Sequence, residues 1–150
     1  MDITLIEKIN PTAEDIKLVS KPLKDYNKSF IGEYNAYSYL LLLYKDQTFI
    51  GGSYSEIKLG WLYIDLLWID GIYRRQGFGT KLLMRTEALA KERGILHARL
   101  NTGNFQGAFP FYHYHKYEVF AELEVFPEKE NKKEVFIDYF MKKSLSLNEK

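Results

Sequence analysis

Apolar residues recur at two periods along this chain, and the switch between them predicts the order of its elements. Residues 3–9 read as a short strand. Pro11-Thr12-Ala13-Glu14-Asp15 marks a helix start, with Thr12 as the N-cap and acids in the first turn. Pro22 predicts that this helix ends or kinks near Ser20, followed by a second irregular or helical piece to Phe30. After a loop over residues 32–35 come three strand-like runs, 37–44, 48–58 and 61–70. Turn residues Lys45-Asp46-Gln47 and Leu59-Gly60 separate them as an antiparallel meander.

The period then lengthens. Phe78, Leu82, Leu83, Thr86, Leu89 and Ala90 share one helical face, and Gly94 is placed to stop that helix. Residues 95–100 alternate as a strand, 107–116 suit a short helix, and 117–126 and 134–141 read as strands around a charged hairpin at 127–133. The tail, 144–150, is expected to fray. Helices and strands in this order make a mixed α/β plan in one domain spanning 1–150, with the meander feeding a helical crossover.

Composition narrows the function classes. With 21 basic and 20 acidic residues the net charge is +1, which argues against a generic nucleic-acid binder. Cysteine is absent, so disulfides, zinc-thiolate sites and cysteine-bound intermediates are excluded. The longest apolar stretch, about 37–44, is too short to span a bilayer, and the first residues lack a signal-peptide layout. The expectation is a cytoplasmic protein with no membrane partner. His113 and His115 lie two apart on a helix, about 200° around its axis, so they cannot share a metal. No metal site is expected.

The chemistry concentrates in Ile69-Asp70-Gly71-Ile72-Tyr73-Arg74-Arg75-Gln76-Gly77-Phe78-Gly79-Thr80-Lys81, where a strand ends, a turn follows and a helix begins. The first amides of any helix lack internal acceptors and carry about half a positive charge. No Ser, Thr, Asp or Asn stands between Gly71 and Gly79 to cap them. Gly77 and Gly79 remove Cβ atoms where a phosphate would approach the backbone. Four cations and no acid lie between residues 71 and 86 (Arg74, Arg75, Lys81, Arg85). A locally basic helix start on a nearly neutral chain reads as a site for a phosphorylated small molecule. The spacing fits neither GxxxxGK[ST] nor GxGxxG.

Arg74-Arg75-Gln76-Gly77-Phe78-Gly79 resembles the (Gln/Arg)-x-x-Gly-x-(Gly/Ala) signature of the GCN5-related N-acetyltransferases, the GNAT superfamily. Ala108-Phe109-Pro110-Phe111-Tyr112, followed by Lys116-Tyr117-Glu118-Val119, resembles that family's second motif. The chain departs from it at Lys116-Tyr117, where the family commonly has Gly-Phe, and at Phe105, where its pantetheine-contacting asparagine would fall. Asn101, Asn104 or Gln106 could substitute there, Asn104 being nearest.

The resemblance implies a GNAT-like domain: a central twisted mixed sheet of six to seven strands, helices on both faces, and a split between the fourth and fifth strands. It implies acetyl-CoA as co-substrate, with the backbone of Trp68 and Ile69 pairing with the pantetheine arm. The amides from Gln76 through Gly77, Phe78 and Gly79 to Thr80 would hold the pyrophosphate beside Arg74 and Arg75. Tyr112 would serve the departing thiolate. Odd positions along 61–69 share a strand face, which puts Asp65 with Tyr63 and Leu67. There Asp65 would act as base, through water, or as a cation anchor. Tyr34, Trp61 and Tyr63 would line a pocket for a small-molecule amine, aromatic faces and acids being suited to a cation. The alternatives are an acyl-CoA-binding sensor and a protein or peptide amine acetyltransferase. A homodimer through a sheet edge is a further family expectation.

Overall fold

The computed structural model describes residues 1–34, 36–128 and 134–146. It falls into two compact units, Met1–Asn35 and Ala36–Lys150.

The first unit is built on α1, Ala13–Ile31. Thr12 caps it through a reciprocal capping box with Asp15, the Asp15 amide donating to Thr12 Oγ1 at 3.1 Å and the Thr12 amide to Asp15 Oδ2 at 3.0 Å. Lys8 adds an ion pair to Asp15 at 2.6 Å. Two expectations are corrected here. The helix does not end at Ser20 but continues through Pro22 to Ile31, the helical bonds on either side carrying it past the one donor that proline lacks. Residues 3–9 form no strand: a strand-like run does not by itself supply the partner that a ladder needs.

The second unit is a six-stranded sheet ordered β1-β2-β3-β4-β6-β5. The meander is β1 (Tyr37–Lys45), β2 (Thr48–Lys58) and β3 (Trp61–Ile69), all antiparallel. The β2–β3 turn places Leu59 at φ 49° and Gly60 at φ 81°, the positive pair that a two-residue primed hairpin demands. A 3₁₀ turn, Gly71–Tyr73, leads into α2 (Phe78–Glu92), whose face with Leu82, Leu83, Thr86, Glu87 and Ala90 is buried. Gly94, φ 76°, ends α2: its amide donates to Lys91 O and the Ile95 amide to Ala90 O, the paired bonds of a Schellman stop.

After α2 come β4 (His97–Gly103), a 3₁₀ turn (Asn104–Gln106), α3 (Phe109–Tyr114), β5 (Glu118–Val125) and β6 (Phe136–Ser144). One core joins sheet and helices: Leu62 and Ile64 from β3, Leu83 and Ala90 from α2, Tyr112 from α3, and Leu100, Met141 and Tyr117. The tail corrects a third expectation. Ser144 still belongs to β6, and Leu145 is fully buried, its amide donating to Leu96 O at 2.8 Å. Residues 147–150, and 129–133 of the charged hairpin, lie outside the described residues.

The sheet is split where the resemblance implies. β3 and β4, the fourth and fifth runs counted from residue 3, are parallel and pair only at Leu62–Ala98 and Tyr63–Arg99. Beyond Tyr63 they part. The cause is local: β2 pairs Ser55 with Ile64 but Tyr54 with Leu66, so Asp65 is an extra residue, a β-bulge. The bulge overturns the simple alternation expected for β3. Leu62 and Ile64 face the core before it and Ile69 after it, whereas Asp65 and Leu66 are both exposed. Asp65 therefore does not share one regular face with Tyr63 and Leu67.

Candidate active site

A cavity of about 740 Å³ opens at the split. One wall is the end of β3, Leu67, Trp68 and Ile69, which β4 has left without a strand on that side. A second wall is the approach to α2, with Arg74, Arg75, Gly77, Phe78, Gly79 and Thr80. The third is the start of α3 and the turn before it, with Gln106, Ala108, Phe111 and Tyr112.

The α2 start lacks a side-chain cap, as the sequence predicts. Gly77 is the N-cap at φ 87° and supplies no side-chain cap; the first helical bond is Lys81 N to Gly77 O at 3.0 Å. The amides of Phe78, Gly79 and Thr80 therefore have no acceptor in their own helix. The left-handed conformation at Gly77 is one that L side chains adopt only with strain. Arg74 Nε donates to Ile69 O at 2.8 Å, tying the end of β3 to the turn, and Asp70 accepts the Ile72 amide at 3.2 Å. Gly79 packs against Phe111, whose ring lies 3.4 Å from where a Cβ would stand.

Tyr112 is buried, 7% exposed, yet it is one of the residues lining the cavity. Burial pushes its phenol up to about 12, keeping it protonated well above neutral pH. Behind it Tyr117, fully buried, meets the Tyr112 ring edge-on at 6.0 Å. Tyr117 Oη donates to Glu87 Oε1 at 3.2 Å, and Lys143 Nζ donates to both Glu87 oxygens at 2.9 Å. This buried ion pair joins α2 to β6 behind the helix that carries Tyr112, and sequence reading passed over it. The acid sits on the apolar face of α2, an out-of-place charge that could have marked it.

Lys116 ends α3 at φ 74°, as the family's glycine would; its amide donates to His113 O and the Tyr117 amide to Tyr112 O, both at 3.0 Å.

Not every candidate gathers at the cavity. Asn104 does not line it: its Oδ1 accepts the Ile137 amide at 3.2 Å, fixing the start of β6. Asn101 is held by Tyr63 Oη at 2.9 Å and by Asp138. Of the three amides weighed, Gln106 is among the lining residues; its Oε1 accepts from Thr102 Oγ1 at 2.9 Å and from the Gly103 amide at 3.2 Å, which leaves its N–H groups to donate. Gln76 is absent from the lining, its side chain donating to Ile72 O at 3.2 Å. Trp61 and Tyr63 precede the bulge and also stand off the cavity; Trp61 packs on His97, and Tyr63 carries the Arg99 guanidinium over its ring at 4.4 Å. Burial, with Asp65 adding to it, raises the Tyr63 phenol above its ordinary value. Asp65 lies outside the lining at the bulge, and Tyr34 belongs to the first unit. Among the described residues, no group of three or more His, Asp or Glu could hold a metal, and no helix is long and apolar enough to cross a membrane.

An open strand edge meeting an uncapped, glycine-lined helix start suits an extended ligand with a phosphorylated end. The chain belongs to the acetyltransferase (GNAT) family, whose model matches residues 6–117. It is 36% identical over 78 residues to blasticidin-S acetyltransferase of Streptomyces morookaense, a match spanning 51% of this chain and 57% of that protein. The chain thus spans little more than half the length of that relative. An acetyltransferase structure from Bacillus cereus superposes with a TM-score of 0.76 at 25% identity, covering 93% of this chain and 97% of the other. The PaiA N-acetyltransferase of Thermoplasma acidophilum, solved in complex with coenzyme A, shares the fold at a TM-score of 0.53 and 21% identity, covering 90% of this chain and 80% of the other.

Proposed function

We propose that this chain is an acetyl-CoA-dependent N-acetyltransferase, a single domain working in the cytoplasm on a small cationic amine, an amino acid derivative or an aminoglycoside-like compound. The observation that carries this reading is one cavity lined by Tyr112, by the open β3 edge and by the uncapped start of α2. The coenzyme-bound PaiA structure and the blasticidin-S enzyme's name support the co-substrate and the acceptor class respectively.

In this reading the pantetheine arm lies along Trp68 and Ile69 as an added strand, and the amides of Phe78, Gly79 and Thr80 hold the pyrophosphate. Gln106 takes the polar contact with the arm for which Asn104 is unavailable. The ammonium first gives one proton to solvent water; the neutral nitrogen then attacks the thioester carbonyl, the C–S bond breaks, and the second proton lost by nitrogen ends on sulfur. No acyl-enzyme forms. Tyr112 donates a hydrogen bond to the departing sulfur. Burial holds the phenol protonated and makes it a poorer proton donor than an ordinary tyrosine. Its role is therefore to stabilise the thiolate while the amine supplies the proton. Asp65, exposed at the bulge, anchors the incoming cation.

The test is thiol release from acetyl-CoA across a panel of amines, read with a thiol-reactive dye; the protein contains no cysteine and adds no background. Release should depend on cationic amines, and Tyr112→Phe should lower kcat by about 10²-fold while acetyl-CoA affinity stays within threefold. Turnover only with neutral acceptors would refute the acceptor class. Saturable acetyl-CoA binding without turnover on any amine would favour a sensor.

A further inference from the structure

Thr80 is the third residue of α2, and its amide is one of those left without a helical acceptor. Its hydroxyl is already engaged: Thr80 Oγ1 and His115 Nε2 lie 3.0 Å apart. His115 caps the C-terminus of α3, three residues beyond Tyr112, and its ring meets Phe111 edge-on at 4.8 Å. Phe111 in turn packs on Gly79, so His115 reaches the first turn of α2 both by hydrogen bond and through that ring. We infer that His115 is a positioning residue for the co-substrate, turning the Thr80 hydroxyl so that it donates to a phosphate oxygen at the α2 start.

The argument is one of proton direction. A hydroxyl has one proton to give. If Nε2 is unprotonated it accepts that proton, and Thr80 then presents only lone pairs to an anion. If Nε2 carries hydrogen it donates to Oγ1, and the Thr80 proton is released toward the ligand. A bound phosphate therefore selects the Nε2–H forms, the neutral tautomer or the imidazolium, and favours the imidazolium further by charge. Partial burial and then Lys143 lower the free imidazole, while Glu87 opposes them. The groups around His115 are Lys143 from β6, Glu87 and Thr80 from α2, His113 and Tyr114 from the end of α3, and Lys116 just beyond it. Anion binding works against that depression. Affinity should rise as pH falls through the imidazole's value in the complex and level off below its value in the free protein.

This inference rests on the acetyl-CoA reading above, and the experiment separates the two. Acetyl-CoA Kd is measured by calorimetry from pH 5.5 to 8.5 for the wild type, His115→Leu and His115→Gln. The ratio of Kd values cancels the ligand's own phosphate titration. Steady-state kinetics compare acetyl-CoA with S-acetylpantetheine, which lacks the pyrophosphate. His115→Leu should weaken acetyl-CoA about three- to tenfold, the scale of one hydrogen bond. The loss should appear in KM and be confined to the phosphate-bearing donor. His115→Gln, whose amide can donate, should restore affinity at high pH, and the wild-type advantage over it should grow as pH falls. Unchanged binding in His115→Leu, or equal losses with both donors, would overturn this inference alone. Absence of wild-type acetyl-CoA binding would overturn the functional reading and this inference with it.

Discussion

Replacing Lys116 with glycine should stabilise the protein, and the size of the gain follows from the backbone. Lys116 occupies the left-handed position that ends α3, at φ 74°. There an L side chain brings Cβ against the following carbonyl, at a cost of about 1–2 kcal/mol. Its amide and that of Tyr117 close the two bonds of the stop, so the conformation is imposed by the helix end. Glycine removes the strain but gives the unfolded chain more freedom, which takes back roughly 0.5–1 kcal/mol. The net expectation is about 0.5–1 kcal/mol, or about 1–4 °C in Tm for a chain of this length. Thermal unfolding by circular dichroism reads it directly. Lys116→Ala is the decisive control, because it deletes the charge and keeps the Cβ. If alanine stabilised as much as glycine, the cause would be relief of charge beside Lys143. If glycine gained nothing, the strain argument would be wrong.

Two further predictions concern the buried groups behind Tyr112. Glu87→Leu strands the Lys143 ammonium, 13% exposed, and removes the acceptor of Tyr117; it should cost about 3–5 kcal/mol in urea unfolding, and adding Lys143→Met should recover most of it. Stability should also fall in alkali. Unfolded tyrosine loses its proton near pH 10 and buried Tyr112 only at about 12, so the unfolded state binds fewer protons across that window. The stability that Tyr112 confers is complete below pH 10 and is lost as pH rises through 12, about 3 kcal/mol in all; Tyr112→Phe should flatten that part of the urea-midpoint profile.

Sequence reading succeeded where local chemistry decides the structure. Thr12 and Asp15 carry their own capping box, Gly94 its stop, and residues 74–79 a helix start that nothing caps. It failed where a partner elsewhere decides. Residues 3–9 read like a strand, yet a strand needs a partner that the segment itself does not supply, and Leu145 is buried where its amide bonds Leu96 O, 49 residues away and beyond the reach of local pattern. Pro22 was given more weight than one lost hydrogen bond deserves in a long helix. In the site, Asn104 and Gln106 look interchangeable by type and spacing. Only the 3₁₀ turn sends one to β6 and the other to the cavity. The Asp65 bulge leaves no mark in the run 61–69, since a single extra residue is visible only against the strand it fails to match.

That extra residue gives the sheet an edge in its middle. An ordinary edge strand offers its unpaired backbone to any passing chain and so invites aggregation. Beyond Tyr63 the vacant side of β3 is instead walled by the first turn of α2 and by α3. A strand added there would lie about 4.8 Å from β3, inside the cavity rather than along the outside of the sheet. The one-residue insertion thus opens backbone hydrogen bonds inside a walled cavity, where an outer edge strand would leave them along the rim of the sheet.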